Sequence, residues 1–156
     1  MLLDKLARRS FTSEVPLPDF PKVAAPRLMK TLDGATIALV TDGGWVPRGN
    51  PDKIEALNAT RFGAYSVAGK SELDGSQYDN VHRGYDTTFV KQDPHRLVPL
   101  DVARELEQTG AIGKLHETVY STVGVATTLN NSARMGREIA EQLRAAGVDA
   151  VILTST

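Results

Sequence analysis

The chain contains no cysteine, which excludes a disulfide, a thiolate metal ligand or a thiol nucleophile anywhere within its 156 residues. Any redox centre this protein uses must lie outside them. An excess of charge is also missing. With 18 basic residues against 19 acidic ones, the net charge of −1 creates no field that would recruit a phosphate backbone or an anionic membrane surface. No apolar run approaches the roughly 20 residues of a membrane span. The start, Met1-Leu2-Leu3-Asp4-Lys5, meets charge too early for a signal peptide. The expectation is a cytoplasmic protein with neither nucleic acid nor membrane as partner. Histidine is scarce as well. The three present show no paired spacing such as i, i+4, so no metal site is expected.

What is present is the composition of one globular domain, 41% hydrophobic and 24% charged. Residues 1–30 stand apart. Leu2 to Arg9 are helix-compatible, with Leu2, Leu3 and Leu6 on one side, but about two turns of isolated helix are marginal in water. Val15-Pro16-Leu17-Pro18-Asp19-Phe20-Pro21, with Pro26 beyond, forces an extended strap. The segment reads as a helix remnant with a Pro-rich linker, or as an N-terminal arm lying on the surface.

From residue 31 to 156 the pattern is that of an α/β domain. Thr36 to Thr41 is a continuous apolar run without alternation, expected for a strand covered on both faces, and it ends in Asp42-Gly43-Gly44. Val46-Pro47-Arg48-Gly49-Asn50-Pro51-Asp52 reads as a loop, with Pro51 to Glu55 opening a short helix. Residues 61–93 carry weak signals of short strands or irregular structure. Pro99, Asp101, the apolar Val98, Val102, Ala103 and Leu106, and Gly110 as terminator mark an amphipathic helix. Val119 to Val123 reads as a strand. A helix then follows, capped by Ser132, with Met135, Ile139 and Leu143 at i, i+4, i+8 and Gly147 as its stop. Asp149 to Thr154 is another buried strand. The fold expected is a Rossmann-like three-layer open sheet, mainly parallel.

In such a sheet the ligand crevice lies at the carboxyl ends of the strands. The sequence stops there. Thr154-Ser155-Thr156 are residue types that cap a following helix. The ending is that of a truncated α/β domain, or of an edge strand that needs no continuation.

Gly147-Val148-Asp149-Ala150-Val151-Ile152-Leu153-Thr154-Ser155-Thr156 resembles the segment directly before selenocysteine in selenoprotein B of the glycine, sarcosine and betaine reductases. Further blocks agree in order: Leu39 to Gly44 with Val46-Pro47; Gly49 to Glu55; His82 with Gly84-Tyr85-Asp86; Asp93-Pro94 with Arg96. Pro99 with Asp101-Val102, Ile112 to His116, and Ser121 to Gly124 continue the series. Arg83 stands where the family carries a small residue, and Val125-Ala126 replaces a more polar stretch. The resemblance implies the middle of a longer subunit, ending just before the selenocysteine and inactive alone, with no cofactor of its own. It also implies a pyruvoyl group on a partner subunit of component B, the carrier selenoprotein A, and thioredoxin as electron donor for C–N bond cleavage.

The residues themselves suggest roles. Asp42, Gly43 and Gly44 at a strand end can bring backbone N–H groups to a substrate carboxylate, or form an ordinary tight turn. Asn50 can donate to substrate or brace its own turn. Thr154, Ser155 and Thr156 join these as substrate-binding candidates. His82, Tyr85 and Asp86 are the candidates for proton handling, because a histidine near a carboxylate titrates in the useful range. Set against this stands a non-catalytic α/β module that holds a small carboxylate or acts as a scaffold.

Overall fold

The structure, a computed structural model, describes residues 1–13, 22–26 and 31–156. The strap expected over Val15 to Pro21 lies outside the described residues. The helices are α1 (Leu2–Leu6), α2 (Thr88–Gln92), α3 (Leu100–Gln108) and α4 (Leu129–Ala145). The strands are β1 (Thr36–Thr41), β2 (Trp45–Pro47), β3 (Gly63–Ser66), β4 (Tyr78–Asn80), β5 (Lys114–Leu115), β6 (Thr118–Ser121) and β7 (Ala150–Thr154). Helix α1 forms at its expected place but buries none of its residues.

β1 is the centre of the main sheet. It pairs in parallel with β7 on one flank, over Ile37 to Thr41, and with β5 and β6 on the other. β3 adds antiparallel to the outer side of β6, so the sheet is mixed but mainly parallel. Ile37 faces Leu115 while Val40 faces Tyr120, so three steps along β1 meet five along its neighbour. The two extra residues bulge the chain at His116-Glu117. The β6–α4–β7 unit therefore does not join adjacent strands, because β1 lies between its two strands.

Alternation along β1 divides the core into two layers. Ile37 and Leu39 pack with Leu115, Val119, Val98, Leu100 and Ala103 on one face. Ala38 and Val40 pack with Tyr120 and, from α4, Ile139 and Leu143 on the other. Helix, sheet and helix make the three layers expected. Both faces of β1 are covered, which is why its sequence is apolar without alternation.

Several boundaries differ from the sequence expectation. Val46-Pro47, read there as the start of a loop, belongs to β2, which pairs with β4. The reason is tertiary: Trp45 is buried, stacks on Tyr78 at 4.5 Å and meets Tyr65 edge-on at 5.7 Å. Pro51 to Glu55 forms turns instead of a helix, since Asn50 and Lys53 adopt φ of 48° and 52°. The cap of α4 is Thr128, whose hydroxyl accepts from Asn131 N, and Ser132 lies within the helix. In α3 the buried residues are Leu100 and Ala103, while Val102 and Leu106 face outward.

On β7, Val151, Ile152 and Leu153 are all exposed, Leu153 by 76%. Successive residues point to opposite faces, so both faces of this strand are open. The 156-residue chain is expected to enhance the fluorescence of a hydrophobic dye, and Leu153→Glu to lower that signal without lowering the thermal midpoint. Leu115→Ala, which empties a fully buried site, is expected to cost about 2–5 kcal/mol in urea denaturation followed by Trp45 emission.

Candidate functional site

Three parallel strands deliver their carboxyl ends to the same place: β1 at Thr41-Asp42, β6 at Ser121-Thr122 and β7 at Thr154-Ser155. They border a cavity of about 350 Å³, which α4 closes with Ser132, Met135, Gly136 and Ile139. A second cavity of about 250 Å³ lies beside it, lined by His82, Gly84, Tyr85, Val125 and Thr156. Asp42 and Gly124 line both. Of the residues singled out from the sequence, Asp42, His82, Tyr85, Thr154, Ser155 and Thr156 thus meet in one crevice.

The turn after β1 is held tightly. Thr41 Oγ1 donates to Thr154 O at 3.2 Å and accepts from Gly43 N at 3.1 Å. Asp42 N donates to Thr154 O and Gly44 N to Thr122 O. Every N–H of Asp42-Gly43-Gly44 is therefore engaged within the fold, and the loop meets the crevice with the Asp42 carboxylate instead. Glycine is required at Gly44, where φ is +76° and a Cβ would stand 2.8 Å from His82 N. Asp42 Oδ2 accepts from Ser155 Oγ at 3.2 Å. Its Oδ1 is shut off from solvent and has no hydrogen-bond partner among the described residues.

Asn80, which the sequence did not single out, is the brace of the site. Buried at the end of β4, it donates to Gly43 O at 2.7 Å and to the Tyr85 hydroxyl at 2.9 Å, and accepts from His82 N at 3.1 Å. Tyr85 in turn donates to Gly43 O at 3.2 Å, so its proton is committed to the scaffold. Burial, with a further push from Asp42, raises its pKa against the opposing Asn80 bond.

His82 is buried, and its Nδ1 accepts from Gly84 N at 2.9 Å. That bond places the proton of the neutral ring on Nε2. Burial holds its pKa below the ordinary 6.5, with Asp42 pulling the other way. The group therefore presents an N–H donor, and to act as a base at Nε2 it would first have to break the Gly84 bond.

Asn50 and Asp86 lie elsewhere. The Asn50 amide donates to Ile54 O and accepts from Ile54 N, both at 2.9 Å, and so braces its own turn. Asp86 is exposed and accepts from Thr88 N at the start of α2. Gly124, Val125 and Met135 also line the crevice without having been named as site residues. A glycine just after the second parallel strand was the one available signal for them.

An open, mainly parallel sheet with a crevice at its carboxyl edge is the α/β architecture in which ligand sites generally lie at strand ends. The chain belongs to the glycine/sarcosine/betaine reductase selenoprotein B family, which it matches over residues 1–156. It is 50% identical to the glycine reductase complex component B subunit gamma of Carboxydothermus hydrogenoformans. Two proteins of Peptoclostridium acidaminophilum, the betaine and the sarcosine reductase complex component B subunits beta, are 47% and 42% identical to it. Each match covers all of this chain and 36% of the relative, so the chain spans about a third of their length. No solved structure matches it. Among the described residues no helix is long and apolar enough to cross a membrane.

The pKa directions set a pH dependence. A histidine whose folded pKa is depressed stabilises the fold fully above its unfolded value of 6.5, and that contribution is lost as pH falls below it. His116, lowered chiefly by burial and further by Lys114, acts in the same direction. Stability measured by urea denaturation is expected to fall as pH drops below 6.5, and to fall less in His82→Phe.

Proposed function

We propose that this chain forms the crevice wall of a component B subunit in a reductase complex that cleaves the C–N bond of glycine, sarcosine or betaine. In the whole subunit, selenocysteine directly follows Thr156. The observation that carries this reading is the convergence of Asp42, His82, Ser155 and Thr156 at the ends of β1 and β7, where the family's reactive residue would begin.

The residues present suit such a group. Thr156 and His82 line the same cavity, and the Nε2–H of a neutral, buried histidine favours an ionised chalcogen over its protonated form. Selenocysteine, when present, supplies a soft, ionised nucleophile. The fold holds the end of β7 through the Thr41 and Asp42 bonds to Thr154 O and the Ser155 bond to Asp42. Tyr85 and Asn80 keep His82 and the Gly43 turn in register. The partners in this reading are a pyruvoyl-containing subunit, the carrier selenoprotein A and thioredoxin as source of electrons. Its support is the family membership and the relatives' names as components of multi-subunit reductases.

Two measurements test it. The gene should continue after the Thr156 codon with an in-frame UGA followed by codons for Gly-Thr-Cys, and a UAA or unrelated codons there would overturn the assignment. In the assembled complex, His82→Phe is expected to lower turnover by about 10²-fold with little change in KM, as for loss of a donor used mainly in the transition state.

A further inference from the structure

We propose that Asp42 reads the positively charged nitrogen of the substrate by its charge, independently of N–H groups, in the cavity it shares with His82, Tyr85 and Gly124. The inference rests on the function proposed above and names the chemistry of recognition within it.

Asp42 is a carboxylate without a counter-charge. It takes part in no ion pair among the described residues, and its protein hydrogen bond is the Ser155 hydroxyl on Oδ2. Oδ1 has neither solvent nor a donor. The carboxylate as a whole lines both cavities, so a positive group held in either would offset its uncompensated charge without having to reach the sealed Oδ1. The fold does not supply that partner. Every N–H of the adjacent turn is engaged, and His82 is held toward its neutral form by burial.

The rest of the lining points to the same ligand. The rings of His82 and Tyr85, with centroids 5.0 Å apart, share the cavity with Gly84, Gly124 and Val125. A carboxylate among aromatic rings and small apolar surfaces attracts a cation whether or not that cation carries hydrogens. Gly124 keeps the carboxylate in place, because a Cβ there would stand 2.7 Å from Asp42 Oδ2.

Three relatives named for glycine, betaine and sarcosine match along all 156 residues at 50%, 47% and 42% identity. Those compounds share a positive nitrogen one carbon from a carboxylate. They differ in methylation, from a full set of N–H groups on glycine to none on betaine. Recognition by charge tolerates every degree of methylation, which suits a segment whose relatives are named for all three compounds.

The test uses the whole subunit in its complex, with binding measured calorimetrically for each compound and its uncharged carbon isostere: glycine and propionate, sarcosine and butyrate, betaine and tert-butylacetate. The wild type is expected to bind its cognate cation about tenfold or more tightly than the isostere. Asp42→Asn is expected to erase that preference while leaving the isostere's affinity unchanged. A preference that survives Asp42→Asn, or an equal loss for both ligands, overturns the inference and leaves the proposed function standing. A wild type that binds none of the three cations overturns both. If Asp42→Asn fails to fold by circular dichroism, Gly124→Ala takes its place. By displacing the carboxylate it should weaken the cation more than the isostere, and equal effects on the two overturn the inference.

Discussion

The parallel pairing of β1 on both of its flanks is the constraint from which the rest follows. A strand hydrogen-bonded to β7 on one side and to β5 and β6 on the other has no free edge, and its side chains are buried on both faces. The alternation of Ile37 and Leu39 with Ala38 and Val40 then assigns α4 to one layer and the α3 side to the other. Because the three strands run in the same direction, their carboxyl ends must emerge together. The crevice is a consequence of that direction, and Thr41 seals its floor by bonding across to Thr154.

Around that floor, a buried polar network does the positioning. Asn80 uses both ends of its amide, one to hold the Gly43 carbonyl and the Tyr85 hydroxyl, the other to hold the His82 backbone. Buried polar groups are tolerated when they are satisfied, and a network so connected leaves little freedom to the groups at its rim. Asp42 Oδ1 is one of four exceptions to this satisfaction among the described residues, beside the Trp45 indole nitrogen, the Tyr65 hydroxyl and Ser121 Oγ. Its position at the meeting of two cavities distinguishes it from the buried indole nitrogen of Trp45, which also lacks a partner but lies in the aromatic core.

The bulge at His116-Glu117 and the small β2–β4 sheet show how the second layer is fitted. Two extra residues shift the register between β5 and β6, and Val67 N bonds to Glu117 O there, tying the end of β3 to the bulge. Trp45 then fills the space between the main sheet and β4, contacting Tyr65 of β3 and Tyr78 of β4. Neither feature has a local signal, since each depends on residues far apart in the chain.

The sequence alone determined what depends on near neighbours and simple periodicity. β1 showed as an unbroken apolar run, α4 as Met135, Ile139 and Leu143 on one stripe with Gly147 as its stop, and β7 as a second apolar run. The strand-end rule was sufficient to place Asp42, Thr154, Ser155 and Thr156 near one another. Only the tertiary structure decided that His82 and Tyr85 reach the same crevice and that Asn50 and Asp86 do not. It alone showed that the N–H groups of Asp42-Gly43-Gly44 are occupied while Asp42 Oδ1 is not. The physical reason is that hydrogen-bond satisfaction is settled by partners across the sheet, such as Thr154, Thr122 and Asn80, whose approach no local spacing records.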